Sequence, residues 1–352
     1  MNAFAADAPH RIAVVIPSYK VRRHILAVIA AIGPEVERVY VVDDRCPDAS
    51  GDFVEQHCRD PRVRVLRHEL NQGVGGAVMT GYAAAVAEGY TIAVKIDGDG
   101  QMDPRLLPLF VRPILEGRAD YTKGNRFYDL AQIQRMPALR LIGNAGLSFL
   151  SKLSTGYWHL FDPTNGYTAI DTRVAAHLPT ERISRRYFFE TDLLFRLNIA
   201  RAAVVDVPMD AVYADEESNL KIGKIFGEFL VKHVRNFVKR IFYNYFLRDM
   251  SAASLELAFG AALMAFGLGF GAWKWLSSAQ AGIATPAGSV MLAALPVIVG
   301  LQFVLAFIAF DVASVPARPI APYLPDPARP RAGTGTPQDG AAQHTSPQDA
   351  SA

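Results

Sequence analysis

The stretch VKIDGDGQMD, residues 94–103, places Asp97, Asp99 and Asp103 close together with glycines among them. Carboxylates packed this closely repel one another, so the chain gains from holding them together only when a positive charge compensates. Mg²⁺ is commonly held by one or two carboxylates together with the phosphates of a substrate. The spacing therefore predicts that this segment binds a divalent cation beside a phosphorylated ligand.

Other motif-based interpretations of these segments fail. A calcium-binding EF-hand loop that begins at Asp97 needs Gly at its sixth position and Glu at its twelfth, where this chain has Met102 and Pro108. A dinucleotide-binding motif in NQGVGGAVMTG would need a third glycine at Val78. The sequence also contains no G-K-[ST], H-E-x-x-H or G-x-S-x-G motif. Hydrolase and dehydrogenase functions are therefore disfavoured.

The residues around these acids alternate between apolar β-type runs and helical patterns over residues 11–208. The predicted strands are RIAVVIPS, VERVYVVDD, RVRVLRH, TIAVKID, DYTKGN and AAVVDVP. Such alternation is typical of an α/β domain with a mostly parallel, Rossmann-like sheet that is covered on both faces. Binding sites in these sheets lie at the carboxyl ends of the strands, where Asp43, Asp44, Asp97 and Asp99 are expected to gather.

Composition limits the partners of this chain. The net charge of the 352 residues is +2, which gives no general attraction to nucleic acid. Cys46 and Cys58 show no metal-ligand spacing and are predicted to be free cytosolic thiols. The first residues lack the basic and apolar regions of a secretory signal, so we expect the N-terminal part to stay in the cytoplasm.

The C-terminal part has a different character. Residues 221–248 carry seven Lys/Arg and one acid, and their apolar positions follow a helical period. This pattern predicts a basic amphipathic helix on an anionic membrane surface, although a helix docked on its own domain is the alternative. Residues 255–276 and 288–310 are long and apolar enough to span a bilayer. Because basic residues precede the first span, both termini are expected in the cytoplasm.

Several motifs, in this order, resemble those of family 2 glycosyltransferases of the polyprenol-phosphate type, which include dolichol-phosphate mannosyltransferases. They are VVIPSYK, VVDDRCPDAS, NQGVGGAVMTGY, IDGDGQMDP, GNRF, DPTNGYTAID and FETDLLFRL. The basic helix and paired spans resemble the bacterial polyprenyl-phosphate glycosyltransferases that have a two-helix membrane anchor. The similarity covers about residues 11–218.

The resemblance implies a GT-A fold, a nucleotide-diphosphate sugar donor and a bound Mg²⁺ or Mn²⁺. The metal would be held with the diphosphate by Asp97, Asp99 and Gln101. The residues that match the nucleotide-sugar site of the family are Pro17, Tyr19, Asp43, Asp44, Gly73, Asp97 and Gly98. For Asp43 and Asp44 the alternative is that they only end a strand and form a turn.

The same resemblance implies an acceptor site with phosphate-binding arginines. Its candidate residues are Arg126, Arg140, Asn144, Asn165, Arg185 and Arg186. Arg126 and Arg140 match two family arginines that face phosphates. Mannosyltransferase-type relatives carry a further arginine soon after the VP that ends the last strand, near Ala214 of this chain. Its absence here leaves Arg185, Arg186 or Lys221 to bind the acceptor phosphate in its place.

Glu190 and Asp192 begin a helical pattern and lie two residues apart. With a hydroxyl acceptor, one of them would serve as general base. A lipid phosphate is already anionic, so these acids would instead orient sugar hydroxyls or cap the helix. The catalytic candidates are Asp99, Arg126, Arg140 and Glu190.

Together these features predict a metal-dependent, inverting hexosyltransferase anchored in the cell (inner) membrane. It would move one sugar from a UDP- or GDP-sugar to undecaprenyl, dolichyl or a related polyprenyl phosphate on the cytoplasmic leaflet. The alternatives are transfer to a hydroxyl of a lipid-linked glycan and a non-catalytic, nucleotide-binding membrane subunit. The resemblance also suggests a homo-oligomer.

The predicted organisation has five parts. They are an N-terminal extension (1–10), the GT-A catalytic domain (11–218), the interfacial helix region (219–250), the region of two transmembrane helices (251–313) and a disordered Pro-rich tail (314–352).

Overall fold

A seven-stranded β-sheet forms the centre of the α/β domain. The structure, a computed structural model, describes residues 10–128, 138–210 and 222–327. The strands in these residues are β1 Ile12–Ser18, β2 Val36–Asp43, β3 Val63–Arg67, β4 Ile92–Lys95, β5 Tyr121–Asn125, β6 Thr168–Asp171 and β7 Val204–Pro208.

The strands are ordered β3-β2-β1-β4-β6-β5-β7 across the sheet. Neighbouring strands are parallel, except that β6 runs antiparallel to both β4 and β5. The six predicted strands and the mostly parallel sheet are confirmed. Strand β6 was missed because it has only four residues and directly follows DPTNGY, whose composition predicts a turn.

Ten α-helices surround and extend this sheet in the described part of the chain. They are α1 Ile25–Ala30, α2 Ser50–His57, α3 Gly73–Ala87, α4 Leu107–Leu115, α5 Ala138–Thr155, α6 Thr172–His177, α7 Phe189–Ile199, α8 Ile222–Phe242, α9 Ala252–Ala281 and α10 Ala287–Ala313. A π-helical segment, Tyr243–Arg248, follows α8, and a 3-10 turn, Ala321–Tyr323, follows α10.

Helices cover both faces of the sheet, which explains its apolar strands. Along β1, Val14 and Ile16 point into the core beneath α1 and α4, whereas Ala13 and Val15 point into the core beneath α3. Helix α3 lies so close to the sheet that a Cβ on Gly81 would come within 2.2 Å of a Val15 methyl group. This close packing brings the N-terminus of α3 to the carboxyl edge of the sheet.

Helix α8 turns its polar side toward the α/β domain. His233, Asn236 and Arg240 are all buried on that side. Asn236 Nδ2 donates to Asp192 Oδ1 at 3.2 Å, and His233 Nδ1 lies 2.8 Å from Ser154 Oγ. The helix is therefore docked on its own domain. Its polar side faces that domain, whereas an ordinary surface helix turns its apolar side inward.

The outward side of α8 is apolar. Val231, Val234, Val238 and Phe242 repeat at helical spacing and are each more than half exposed. The helix has one polar and one apolar side, in keeping with the pattern of the sequence, and contact of the apolar side with a membrane stays a prediction. Ile241 and Tyr245 are buried in a small core with Phe307 of α10.

Helices α9 and α10 form an antiparallel hairpin. Gly260 of α9 packs against Gly300 of α10, and Gly267 packs against Ala293. Only 11% of the residues in the apolar window of each helix are buried, so most of their apolar surface faces outward. Their lengths of 30 and 27 residues suffice to cross a bilayer. The predicted spans, 255–276 and 288–310, lie inside these two helices.

The segment after α10, which we call the C-terminal strap (residues 314–327), returns to the α/β domain. The backbone N–H groups of Ile320 and Ala321 donate to the buried carboxylate of Asp120, which also accepts from the N–H of Ala203 at 2.7 Å. The predicted disordered tail is therefore wrong for residues 314–327. The Pro-rich composition predicts disorder, but it does not show that Asp120 accepts hydrogen bonds from this backbone and so holds the segment in place.

A buried ion pair joins the hairpin to the α/β domain. Asp311, near the end of α10, accepts from Arg240 Nη1 at 2.6 Å and Nη2 at 2.9 Å. The Tyr245 hydroxyl and the Trp158 Nε1–H donate to the same carboxylate, at 2.6 and 2.8 Å. One carboxylate thus ties together α8, α10 and the loop after α5.

We expect Asp120→Ala to lower the free energy of unfolding by about 3 kcal/mol, because three buried N–H groups would lose their acceptor. Thermal and denaturant unfolding of the full chain in detergent measures this change. Asp48→Ala, at an exposed aspartate, is the control and should unfold as wild type does. Equal stability of the two variants would show that the strap is not held through Asp120.

The stability of the docked α8 should depend on pH. Burial lowers the pKa of His233 to about 4, against about 6.5 in an unfolded chain. Between these values the unfolded state binds the proton and the folded state does not. The stability present above pH 6.5 is therefore lost as the pH falls toward 4, at about 1.4 kcal/mol per pH unit.

Denaturant unfolding in detergent between pH 7.5 and 4.5 measures this slope. His233→Asn should flatten it, whereas His57→Asn, at an exposed histidine, should not. An unchanged slope in His233→Asn would assign the pH dependence to other groups.

Candidate active site

The acidic loop after β4 lies at the carboxyl edge of the sheet. Its chain turns tightly at Gly100, which has a φ of +82°. The N–H of Gln101 donates to Asp99 Oδ1 at 3.0 Å, and the N–H of Asp97 donates to the Met102 sulfur at 3.3 Å. The loop therefore folds back on itself and holds both carboxylates, half-buried, at one edge of the sheet.

A lysine that the sequence reasoning missed connects this loop to Glu190. Lys95 is the last residue of β4 and its side chain is 1% exposed. Its Nζ lies 2.9 Å from Asp97 Oδ1 and 3.5 Å from Glu190 Oε1. One ammonium group thus joins the end of β4 to the start of α7. The sequence feature that could have identified Lys95 is a lysine at the end of an otherwise apolar strand.

Burial and neighbouring charges act in opposite directions on the pKa of Lys95. Burial by itself would lower the pKa of Lys95, but the carboxylates of Asp97 and Glu190 outweigh it and raise the pKa above its usual value. Burial raises the pKa of Glu190, although Lys95 opposes that change. Lys95 is therefore a permanent ammonium at neutral pH.

Asp192 has a different position from Glu190. Its Oδ2 accepts from the N–H of Ser184 at 2.8 Å and pairs with Arg196 at 3.2 Å, while Oδ1 accepts from Asn236. These contacts direct its carboxylate to the interior of the fold. Of the two acids considered as a base, the structure brings only Glu190 to the acidic loop.

The turn before β6 lies directly against the Lys95 and Asp97 pair. A Cβ on Gly166 would come within 2.3 Å of Lys95 Nζ and 2.7 Å of Asp97 Oδ2. Asn165 is buried and shapes this turn, because its Oδ1 accepts from the N–H of Tyr167 at 2.9 Å. Asn165 thus supports the turn in this structure, and any side chain at position 166 would have to displace the Lys95 ammonium or the Asp97 carboxylate.

Arg126 lies just after β5 and is held by Asp162. Its Nε donates to Asp162 Oδ2 at 2.7 Å and its Nη2 to Oδ1 at 3.0 Å, while one third of its side chain remains exposed. Burial alone would raise the pKa of Asp162, but Arg126 and the buried Lys123 outweigh it and hold the pKa below its usual value. The guanidinium is therefore fixed in position with part of its surface open.

Two other acceptor candidates lie on α5. Arg140 is in the first turn of this helix, and its side chain is outside the described part. Asn144 follows four residues later and is half-buried. The region of Ala214 and Lys221 also lies outside the described residues, so the question of a substitute for the missing arginine stays open there.

Asp43 ends β2 and Asp44 follows it, and both carboxylates accept hydrogen bonds from groups of the protein. Asp43 accepts from the N–H groups of Cys46 and Gly51 at 2.8 and 2.9 Å. Asp44 is 3% exposed and pairs with His68 Nδ1 at 2.7 Å. Asp43 therefore holds the turn after β2, whereas Asp44 contacts residues 24 or more positions away, and a role of either acid in nucleotide binding stays a prediction.

Asp44 also fixes the glycine-rich loop at the start of α3. Its Oδ1 accepts from the N–H of Gln72 and its Oδ2 from that of Gly73, both at 2.7 Å. Gly73 has a φ of +83°, and a Cβ there would lie 2.5 Å from the Arg185 carbonyl oxygen. Arg185 and Arg186 are exposed and lie over this loop. The structure therefore places them beside the predicted nucleotide loop.

The remaining nucleotide-site candidates surround the same edge. Pro17 is in β1 opposite Val42, and Tyr19 follows that strand with 46% of its side chain exposed. Gly98 is buried, and a Cβ there would contact Val21 at 3.1 Å. These residues form the rim of the sheet between β1 and β4.

The donor atoms at this edge fit a hard divalent cation. Asp97, Asp99 and Gln101 offer carboxylate and amide oxygens, which suit Mg²⁺ or Mn²⁺. Among the described residues there is no cluster of three or more His, Cys, Asp or Glu side chains that could hold a metal without other help. The arrangement therefore fits a cation that takes its other ligands from a bound phosphate.

Comparison with known proteins identifies the kind of domain. Residues 13–178 match the family described as Glycosyl transferase family 2. The UDP-N-acetylglucosamine--dolichyl-phosphate N-acetylglucosaminyltransferase of Methanococcus voltae is 27% identical, over 62% of this chain and 94% of that protein. The undecaprenyl-phosphate mannosyltransferase of Micrococcus luteus is 28% identical, over 64% of this chain and 93% of its own length.

Solved structures confirm the GT-A type of fold. Glucosyl-3-phosphoglycerate synthase from Mycobacterium tuberculosis, in complex with phosphoglyceric acid, has a TM-score of 0.51 and 21% identity. The match covers 67% of this chain and 81% of that one. Another structure of the synthase, with a TM-score of 0.50, 20% identity and the same coverage, contains Mn²⁺ and UDP-glucose.

Gly73→Ala tests the loop that Asp44 holds. We expect it to lower the free energy of unfolding by at least about 1 kcal/mol more than Gly117→Ala does. Both glycines have positive φ, but a Cβ on Gly117 meets no atom within 4 Å, whereas one on Gly73 meets the Arg185 backbone. Thermal unfolding and hydrogen exchange of residues 71–76 measure the effect. An equal loss of stability in both variants would contradict a close contact between a Cβ at position 73 and the Arg185 backbone.

Proposed function

From the premise that residues 13–178 form a family 2 glycosyltransferase domain, we propose that this protein transfers one sugar from a nucleotide diphosphate to a polyprenyl phosphate, with inversion. The observation that carries the proposal is the pair of Asp97 and Asp99 at the edge of a domain fastened to an apolar hairpin. The names of both curated relatives combine a sugar with a polyprenyl-type phosphate, which supports this acceptor class.

The donor side of the site is proposed to lie over the ends of β1, β2 and β4. Asp97, Asp99 and Gln101 would hold Mg²⁺ or Mn²⁺ together with the diphosphate. When bound, the cation would offset the charge that develops on the departing nucleoside diphosphate. Tyr19 offers an exposed ring at the rim, and Asp44 acts by fixing the Gly73 loop.

The acceptor side is proposed to lie around Arg126 and the start of α5. A lipid phosphate is anionic at neutral pH, so it needs no strong general base, and the larger task is to hold two anions together. Arg126 is already oriented by Asp162, and one third of its side chain is exposed. Arg140 and Asn144 would complete this site from α5.

The membrane arrangement supports delivery of such a lipid. The catalytic domain holds α8 before the hairpin and the C-terminal strap after it, so both ends of the hairpin lie on one side. Arg235 and Lys239 are exposed beside the apolar stripe of α8, as expected for contact with anionic lipid. We propose that this side is the cytoplasmic face of the cell membrane. Homo-oligomerisation stays a prediction.

A second candidate reaction is transfer to a hydroxyl of a lipid-linked glycan. Glu190 favours it, because this buried carboxylate has a raised pKa and lies beside the acidic loop. Its contact with Lys95 favours the first candidate, since a carboxylate paired with an ammonium is a weaker base. Glu190→Gln should reduce the rate by about 10² or more if Glu190 is the base.

The decisive experiment offers the purified full chain Mg²⁺, undecaprenyl phosphate and a panel of UDP- and GDP-sugars, followed by extraction of the lipid product. We expect one sugar to appear on the lipid phosphate. Asp99→Asn should abolish transfer, because one of the two metal-binding carboxylates is lost, and should still insert into membranes.

Full activity of Asp99→Asn would contradict the metal assignment. Transfer to a lipid-linked glycan but not to the lipid phosphate would favour the second candidate. Neither product nor donor hydrolysis with any sugar nucleotide would favour a non-catalytic subunit.

A further inference from the structure

We propose that Lys95 is a positioning residue that holds the carboxylate of Asp97 in the orientation needed to bind the cation, with Glu190 as its second support. This inference rests on the proposed metal-binding role of Asp97. Lys95 does not touch the substrate itself, and the sequence motifs give it no role.

The geometry places the ammonium group beneath the site. Lys95 is 1% exposed, whereas the side chain of Asp97 is 30% exposed and that of Glu190 is 14% exposed. The backbone of Lys95 is paired on both sides within the sheet, with Val15 of β1 and Thr168 of β6. The sheet therefore fixes the position of the Lys95 backbone, from which this long side chain extends.

The tip of the side chain is also confined. The backbone of Gly166 lies against it, so that a Cβ there would come within 2.3 Å of Lys95 Nζ and 2.7 Å of Asp97 Oδ2. The Nζ group lies 2.9 Å from Asp97 Oδ1, a short charge-assisted hydrogen bond. With its ammonium confined in this way, Lys95 restricts rotation of the Asp97 carboxylate.

The charges agree with this role. Lys95 contacts two carboxylates, those of Asp97 and Glu190, so its single positive charge does not neutralise both. A divalent cation at Asp97 would offset the remaining negative charge. Without Lys95 these two carboxylates would repel one another more strongly, and Asp97 would lose the contact that sets its direction.

A simpler role must be separated from positioning. Lys95 would still be needed if it only neutralised the buried Glu190, because an unpaired buried charge is strongly destabilising. The double variant Lys95→Met/Glu190→Gln removes both charges together and so removes that need. Any defect that remains in the double variant belongs to the lost contact with Asp97.

The experiment measures Mn²⁺ binding by the electron paramagnetic resonance signal of free Mn²⁺, with the full chain in detergent and UDP or GDP present. Thermal unfolding is recorded in parallel. We expect Lys95→Met to lose both stability and Mn²⁺ affinity. The double variant should regain stability while still binding Mn²⁺ about tenfold more weakly than wild type, the loss expected for one charge-assisted hydrogen bond.

Gly166→Ala gives a test in which every charge is kept. Its Cβ should displace the ammonium and weaken Mn²⁺ binding to a similar extent. Gly269→Ala is the control, because a Cβ there meets no atom within 4 Å, and it should bind as wild type does. This variant also decides the matter if the Lys95 variants do not fold.

Wild-type Mn²⁺ affinity in the double variant or in Gly166→Ala would overturn the positioning role. A wild-type chain that binds no Mn²⁺ with either nucleotide would instead contradict the proposed metal site itself. The two failures are therefore distinguishable.

Discussion

Carboxylates gathered at one edge of the sheet must each find a positive or hydrogen-bonding partner, and this constraint shapes the catalytic part of the molecule. Asp97 is paired with a lysine beneath it, and Asp162 with a guanidinium above β5. Asp44 instead accepts backbone N–H groups from the start of α3. Each pairing also links two elements that are distant in sequence. The contacts that compensate these charges are therefore the same contacts that assemble the site.

The same principle joins the domain to the membrane hairpin. Asp311 and Arg240 are both buried, and such a pair is stable only when the remaining atoms of the carboxylate are also satisfied. Trp158 and Tyr245 provide those hydrogen bonds. This joint connects the α/β domain, α8 and α10, so it fixes the orientation of the domain at the end of the hairpin. Under the proposed function, a lipid acceptor in the bilayer would then meet a site whose position relative to the hairpin is already set.

The sequence predicted the features that depend on local pattern and missed those that depend on distant partners. Apolar runs located six strands and both apolar helices, since burial dictates their composition. The strap that contains Ile320 was missed because its partner, Asp120, is 200 residues away and its own composition indicates disorder. Lys95 was missed for a similar reason. Only the fold shows that Glu190 approaches it, whereas Asp97 and Asp99 were recognisable from their spacing alone.

Arg126 shows why pairing within the protein need not oppose binding. A free arginine loses side-chain freedom when it binds a phosphate, and that loss weakens binding. Here Asp162 has already fixed the planar guanidinium through two hydrogen bonds. Asp162 is itself buried and held by Lys123 and Asn165, so it cannot follow a ligand outward. Under the proposed function, a phosphate that reaches the exposed third of Arg126 would therefore meet a guanidinium whose orientation is already set.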